Sequence, residues 1–170
     1  PVTCPFCHQR TSEANLREIG QQGRIKERLA SVVIEGSSDK EYRAPEESDF
    51  AAFNSAKEVT VCPPSELIEE GQWNIKTWLY GMKTWGSLFN HRQLVMLEGF
   101  IRALKTVHAE IKDKEKDGAY QQALCVYLGL LISRIAQRSS NVGRWDGTRE
   151  NVQDPFGRQA IPMIWDYPEA

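Results

Sequence analysis

The sequence predicts a mainly α fold: a long antiparallel helical hairpin, preceded by a small β-hairpin and a cysteine knuckle. Three observations predict it. Apolar residues recur at helical spacing in two adjacent stretches of the second half, with the polar run "KDKEKDG" between them. The Val- and Ile-rich stretch "LASVVIEG" leads into a turn-like segment. The chain opens "PVTCPFCHQR", where Cys4 and Cys7 bracket Pro5 and Phe6, and His8 follows at once.

Composition sets the frame for these elements. The chain has 170 residues, of which 41% are hydrophobic, and five are Trp. That suits one globular unit with a core and argues against disorder. The formal charge is −2 and the pI about 6.0, so there is no overall basic field, and any nucleic-acid contact has to come from a local patch. The most apolar run, "ALCVYLGLLI" at 123–132, is too short to span a bilayer. The opening residues carry no signal-peptide pattern. Of the four cysteines, only Cys4 and Cys7 have metal-like spacing. Cys125 lies in an apolar helical run and is expected to be a buried thiol; Cys62 precedes Pro63-Pro64 and is expected in a loop. This usage predicts a reducing, cytoplasmic compartment. A first residue that is Pro and not Met fits an excised fragment or a processed chain.

Along the chain, 29–36 is expected to be a strand, 36–40 a turn, and "EYRAP" a second strand pairing back. The stretch "PEESDFAAFNSAKE" has acidic residues near its start and Lys57 near its end, as a short helix prefers. Pro63-Pro64 breaks any helix, and the aromatic, Gly-interrupted 67–89 predicts irregular structure with a helical turn or two. Asn90 followed three residues later by Gln93 forms a capping-box pattern. From there Leu94, Leu97, Ile101, Leu104 and Ile111 make one stripe of a helix running to about Lys114. The next helix should run over 118–139, with Tyr120, Leu124, Tyr127, Leu128, Leu131 and Ile135 on one face. Being apolar nearly all round over 123–132, it should be the most buried. Leu97, Leu104, Leu124, Leu128 and Leu131 are expected in the core, with Leu128→Ala costing roughly 2–5 kcal/mol. A short polar turn between two helices makes an antiparallel hairpin. In the tail, Asp154-Pro155 is a candidate start of one more helical turn. The organisation expected is 1–62 as knuckle, β-hairpin and short helix, and 63–170 as a helical domain.

Two features carry candidate chemistry. The C-x-x-C with adjacent His8 fits a haem attachment signature, a redox dithiol or one knuckle of a zinc ribbon. Pro5 suits the tight turn of a knuckle, and no βαβ unit supports the dithiol. Two thiolates leave two coordination positions open, so zinc should be absent or weakly held by this chain alone. Arg134, Arg138, Arg144, Arg149 and Arg158 gather late in the chain around Trp145. Such a set can grip phosphates and stack on bases, or can pair with Asp146, Glu150 and Asp154 and anchor the tail. There is no phosphate-binding glycine loop, G-x-S-x-G or H-E-x-x-H, and His91 and His108 lack an evident metal partner. The residues thus describe a domain without catalytic chemistry of its own.

Three segments resemble a known family. "LYGMKTWGSLFNHRQLVML" at 79–97, "SSNVGRWD" at 139–146 and "FGRQAIPMIWDYPEA" at 156–170 closely resemble successive segments of the adenine-specific DNA methylases that contain a zinc ribbon. In that family a Tyr-Gly and then a Gly-x-Leu-Phe-x-x-Arg-Gln-Leu segment precede the long helices. Tyr80, Gly81, Gly86, Leu88, Phe89, Arg92, Gln93 and Leu94 match them. Arg144 and Trp145 match a following Arg-Trp, while Ser139-Ser140-Asn141 departs from the family's Asn-Ser. Phe156, Arg158, Gln159, Ala160, Pro162, Met163, Trp165 and Asp166 match the last segment. "GRIKERLASVVIEG" and "EYRAP" resemble the stretch after the family's second knuckle.

The resemblance implies that Cys4 and Cys7 are half of a zinc ribbon whose first knuckle lies upstream. It also implies that the chain is a region inserted between two halves of an S-adenosylmethionine-dependent DNA methyltransferase. The family's Asp-Pro-Phe-x-Gly-x-Gly-type cofactor motif and its Asp-Pro-Pro-Tyr catalytic motif do not occur in this sequence. No catalytic residue and no cofactor site are therefore expected here. The implied partners are DNA, through the parent enzyme, and the remaining methyltransferase halves, with no membrane. Arg138, Arg144, Trp145, Arg149 and Arg158 would be the DNA-contact residues. The other role open to such a region is a scaffold or protein-interaction module of a phage-defence system.

Overall fold

The structure, a computed structural model, describes residues 2–4, 7–71, 75–157, 160–161 and 163–169. In chain order the elements are β1 (Val2–Thr3), β2 (Arg10–Thr11), α1 (Glu13–Gln21), β3 (Val32–Glu35), β4 (Lys40–Arg43) and α2 (Glu47–Ser55). Then come α3 (His91–Lys114), α4 (Gly118–Arg138), β5 (Arg144–Asp146) and β6 (Asn151–Gln153). The fold is mainly α, with three separate antiparallel strand pairs: β1 with β2, β3 with β4, and β5 with β6.

Local chemistry starts each long helix. The Asn90 side chain accepts from the Gln93 N–H at 2.9 Å, and the Gln93 side chain accepts from the Asn90 N–H at 2.9 Å, which is the capping box expected for α3. The Asp117 carboxylate accepts from the N–H groups of Ala119 (2.9 Å) and Tyr120 (3.2 Å) and opens α4. Lys112 and Lys114 close α3, and Arg138 closes α4, the favourable end for cations. The expected β-hairpin forms as β3–β4, with Val32 opposite Arg43 and Glu35 opposite Lys40. Short 3-10 turns at Thr77–Tyr80 and Trp85–Leu88 fill the aromatic stretch. Of the described helices, none is long and apolar enough to cross a membrane.

The α1 helix was not expected from the sequence. Ser12 caps it by accepting from the Asn15 N–H at 3.2 Å. It packs on the 77–80 turn so closely that a Cβ on Gly20 would lie 2.7 Å from the Tyr80 carbonyl oxygen. Gly81 faces the same contact with φ +86°, a conformation that favours glycine.

The buried cluster is Ile68, Leu88 and Val142, packed by Ile75, Met82, Phe89, Phe156, Ile161 and Met163. It therefore joins the segments flanking the long helices and does not lie between the helices. Leu97 is buried as expected, but Leu104, Leu124, Leu128 and Cys125 are only half-buried. The expectation that α4 is the most buried helix fails: Tyr120, Val126, Tyr127, Leu130 and Leu131 are all exposed. The reason is that α4 packs on α3 along one side, and no described element covers the other. Around Asp154-Pro155 the chain makes a turn and starts no helix there; Pro155 is buried in that turn.

At the start of α2, Arg43 donates twice to Asp49 (2.5 and 2.9 Å), and the Glu46 N–H donates to the same carboxylate at 2.8 Å. The Arg43 hydrogen bonds, then the Glu46 N–H, hold the Asp49 carboxyl down at about 2. Because the folded value is depressed below the unfolded value of about 3.9, this contact supports the fold above that pH, and the support fades as pH falls from about 4 towards 2. Carboxyl NMR titration should show Asp49 titrating near the bottom of that window, and Arg43→Ala should move it back up.

Candidate functional site

The opening cysteines sit on a tight hairpin. Val2 pairs with Thr11 and Thr3 with Arg10, and two backbone bonds close the loop: Cys4 N–H to the Gln9 carbonyl and His8 N–H to the Cys4 carbonyl, both 3.0 Å. His8 takes φ +56°, the left-handed turn residue of the loop. Cys4 is half-buried, Cys7 exposed, and neither is in a disulfide. Pro5 and Phe6 lie outside the described residues. A zinc ion needs four donors. Among the described residues no group of three or more His, Cys, Asp or Glu is placed to hold a metal. Cys62 is exposed in a loop, where its N–H bonds the Glu98 carboxylate. His91 is engaged by the Val59 carbonyl at 2.7 Å.

Acidic neighbours take several of the late arginines. Arg134 donates to Asp154 at 2.9 Å, and Arg138 lies 3.7 Å from the same carboxylate. Arg144 is 3.7 Å from Asp146. Arg149 stands at the tip of the β5–β6 hairpin, where the Asp146 carboxylate accepts from the N–H of Thr148 (3.0 Å) and of Arg149 (3.2 Å). Among the described residues its side chain has no carboxylate partner. Arg158 lies outside the described residues.

Trp145 is half-buried and held on several sides. Tyr42 meets it edge-on at 6.5 Å, and the Lys40 ammonium lies 5.4 Å from its ring centre. The indole N–H donates to the Tyr42 hydroxyl at 3.1 Å. The Trp145 backbone N–H donates to the Asp166 carbonyl at 2.7 Å. Glu150 turns to this cluster too: its side chain accepts from the Lys40 N–H at 3.3 Å and its carbonyl from the Lys40 ammonium. The arrangement fastens the β3–β4 hairpin to β5–β6 and leaves Trp145 little free face for a base.

A polar cluster centred on Arg92 was not singled out from the sequence. Arg92, in the first turn of α3, donates to Glu169 at 2.7 and 2.8 Å and to Glu27 at 2.9 Å. Its guanidinium lies 3.6 Å from the centre of the Phe53 ring. Asn90 donates to Glu27 at 3.0 Å and also to Glu169, and the Tyr167 hydroxyl donates to Glu27 at 2.8 Å. Burial pushes against charge on Glu27, but the bonds from Arg92 and Tyr167 outweigh it and hold its carboxyl low. Burial also opposes charge on Arg92, and the bonds to Glu169 and Glu27 overcome it and raise its pKa. Burial, then the bond to Glu27, push the Tyr167 hydroxyl up, so it stays protonated as a donor. A cavity of about 30 Å³ lies beside the cluster, lined by Arg92, Gln93, Met96, Ser139 and Glu169. Among the described residues, the charges of Arg92, Glu27 and Glu169 are paired with one another. The cluster acts as a clasp, tying together residues far apart in the sequence.

Arg92 and Gln93 belong to the segment that carried the family resemblance. Glu27 and Glu169 also lie in stretches quoted for the resemblance, but no local spacing marks them as partners of Arg92. Compared with known protein families, with curated proteins and with solved structures, the chain finds no match.

Proposed function

We propose that this chain is the inserted, non-catalytic region of an adenine-specific DNA methyltransferase that contains a zinc ribbon, and that it helps the parent enzyme hold DNA. The observation that carries the reading is the meeting of the three segments bearing the resemblance. Leu88 accepts a 2.8 Å bond from the Asn141 N–H, Tyr80 stacks edge-on with Trp165 at 4.9 Å, and Val142 shares the buried cluster with Leu88 and Met163. Residues far apart in sequence that match one family's pattern are thus packed as one unit. The contact between α3 and α4 and the short 115–117 connection support reading the pair as an antiparallel hairpin. The tight turn at Cys4 and Cys7 supports reading it as half of a zinc ribbon, with the rest of the ligands supplied upstream. On this reading S-adenosylmethionine binds the parent's other segments, and the methyl transfer, which requires taking the base out of the stack, happens there. The expected setting is cytoplasmic, as part of restriction-modification or phage defence.

The DNA contact is assigned to the β5–β6 hairpin, where Arg144 and Arg149 are exposed and, among the described residues, Arg149 lacks an acidic partner. Anisotropy titration of duplex DNA over a range of salt tests it. Binding should fall steeply with salt, and Arg144→Ala with Arg149→Ala should lower the salt slope by about two units. Purified chain should incorporate no methyl groups into DNA. A second reading, scaffold or interaction module, is favoured by the pairing of Arg134 and Arg138 with Asp154 and by the enclosure of Trp145. Wild-type chain that binds no DNA at low salt, with the double variant losing thermal stability, would put the scaffold ahead.

A further inference from the structure

We propose that the outer face of α4 pairs with the same face of a second copy of this chain, antiparallel about a two-fold axis near Val126. The inference does not rest on the methyltransferase reading. From residue 118 to residue 133 the helix carries no charged side chain. Helical geometry puts Ala119, Ala123, Val126, Tyr127, Leu130 and Leu131 on one side, and all six are exposed, Tyr127 at 74% and Leu130 at 60%. A surface helix normally keeps its outer side polar, and a helix that is apolar all round is a buried one. Among the described residues, α3 packs on one side of α4 and the opposite side is exposed.

Three properties of the face point to a second copy. First, the face has no charge, so a like-on-like contact meets no repulsion and buries no unpaired ion. The same lack leaves it nothing with which to hold phosphate. Second, side-chain size is graded along the helix. Small residues, Ala119 and Ala123, occupy the first half, and large ones, Tyr127, Leu130 and Leu131, the second. Antiparallel pairing sets Ala123 of each copy against the Tyr127–Leu130 pair of the other, large against small, and it opposes the two helix dipoles. A two-fold contact of this kind is self-complementary by construction. Third, the area suffices. The exposed apolar side chains amount to on the order of 500 Å² per copy, so a pair removes about 1,000 Å² from water, the lower bound for a specific interface.

Sedimentation equilibrium on the whole chain tests the proposal. At concentrations up to about 100 μM, which reach the affinities that interfaces near this lower bound support, the mass should rise to twice the 19.4 kDa of one chain. A chain that stays monomeric throughout overturns it. Tyr127→Glu with Leu130→Glu puts charge into the contact and should weaken association about 100-fold or more, with far-UV helicity unchanged. Should that variant lose helicity, Tyr127→Gln with Leu130→Gln reads the same contact, since Gln is a good helix former. Ile34→Glu, on the exposed side of β3, should leave the dimer intact. A dimer that survives the α4 substitutions, or one that Ile34→Glu dissolves equally, overturns the assignment to this face.

Discussion

Leu88→Ala should destabilise the chain by about 2–5 kcal/mol, the range for emptying a closed core site. Leu88 has no exposed surface and stands at the meeting point of the 85–88 turn, the residue after Asn141 and the returning tail. Its neighbours Ile68 and Val142 are held by other bonds: Ile68 N–H by the Lys83 carbonyl at 2.8 Å, and Val142 by the turn that begins at Ser139. They cannot collapse freely into the space, which favours the upper part of the range. For a chain of this size the loss lowers Tm by roughly 4–20 °C. Leu128→Ala, at a half-buried position on α4, should cost clearly less. Thermal or urea melts of the two variants side by side give the answer. If Leu128→Ala costs more than Leu88→Ala, the core lies between the helices after all.

Arg92→Ala should cost about 2–4 kcal/mol, somewhat under the figure for breaking a fully buried pair, because Glu27 keeps about a third of its side chain in water. The loss has two parts. The bidentate bonds to Glu169, the bond to Glu27 and the stacking on Phe53 vanish. Two carboxylates are then left beside each other with only Asn90 and Tyr167 to satisfy them. The second part is recoverable: Glu27→Gln in the Arg92→Ala background should restore some stability, whereas Glu27→Gln alone should reduce it. Arg92→Lys should not rescue, since a point charge cannot make the forked bonds or lie flat on Phe53. Urea denaturation of wild type, Arg92→Ala, Glu27→Gln and the double variant forms the cycle that separates the parts. Additive effects would mean that Arg92 and Glu27 act independently.

These two sites also show what a sequence reveals and what it hides. The starts of α2 and α3, the extent of α4, the β3–β4 pairing and the 3-10 turns were legible because each follows from neighbours in sequence, such as Asn90 with Gln93 or Gly36 after a β-branched run. The α1 helix was missed although Ser12 supplies its cap, because Gly20 is a poor helix former; the structure uses Gly20 for close contact with Tyr80. The β5–β6 hairpin was missed although Asp146-Gly147 is a turn pair. The burial of α4 was misjudged for a different reason. Apolar composition states a demand for cover, while meeting it depends on elements that the described residues do not place there. Of the acidic residues set against the late arginines, Asp154 takes Arg134 and Arg138 and Asp146 takes Arg144, but Glu150 turns to Lys40 and Tyr42 on another hairpin. The Arg92 clasp had no local signal at all, since its partners are distant along the chain.

That distance has a kinetic meaning. Arg92 joins Glu27, 65 residues back, to Glu169, 77 residues on. Contacts between α3 and α4 are local by comparison and can form while most of the chain is still loose. The clasp has to close two long loops, and closure entropy must be overcome before its bonds reward it. It should therefore belong to the last steps of folding. Arg92→Ala should speed unfolding while leaving the folding rate almost unchanged, a φ-value near zero, whereas substitutions at the α3–α4 contact should slow folding. A stopped-flow chevron distinguishes the two. On this ordering the arm carrying Glu27 and the tail carrying Glu169 are fastened, and released, together.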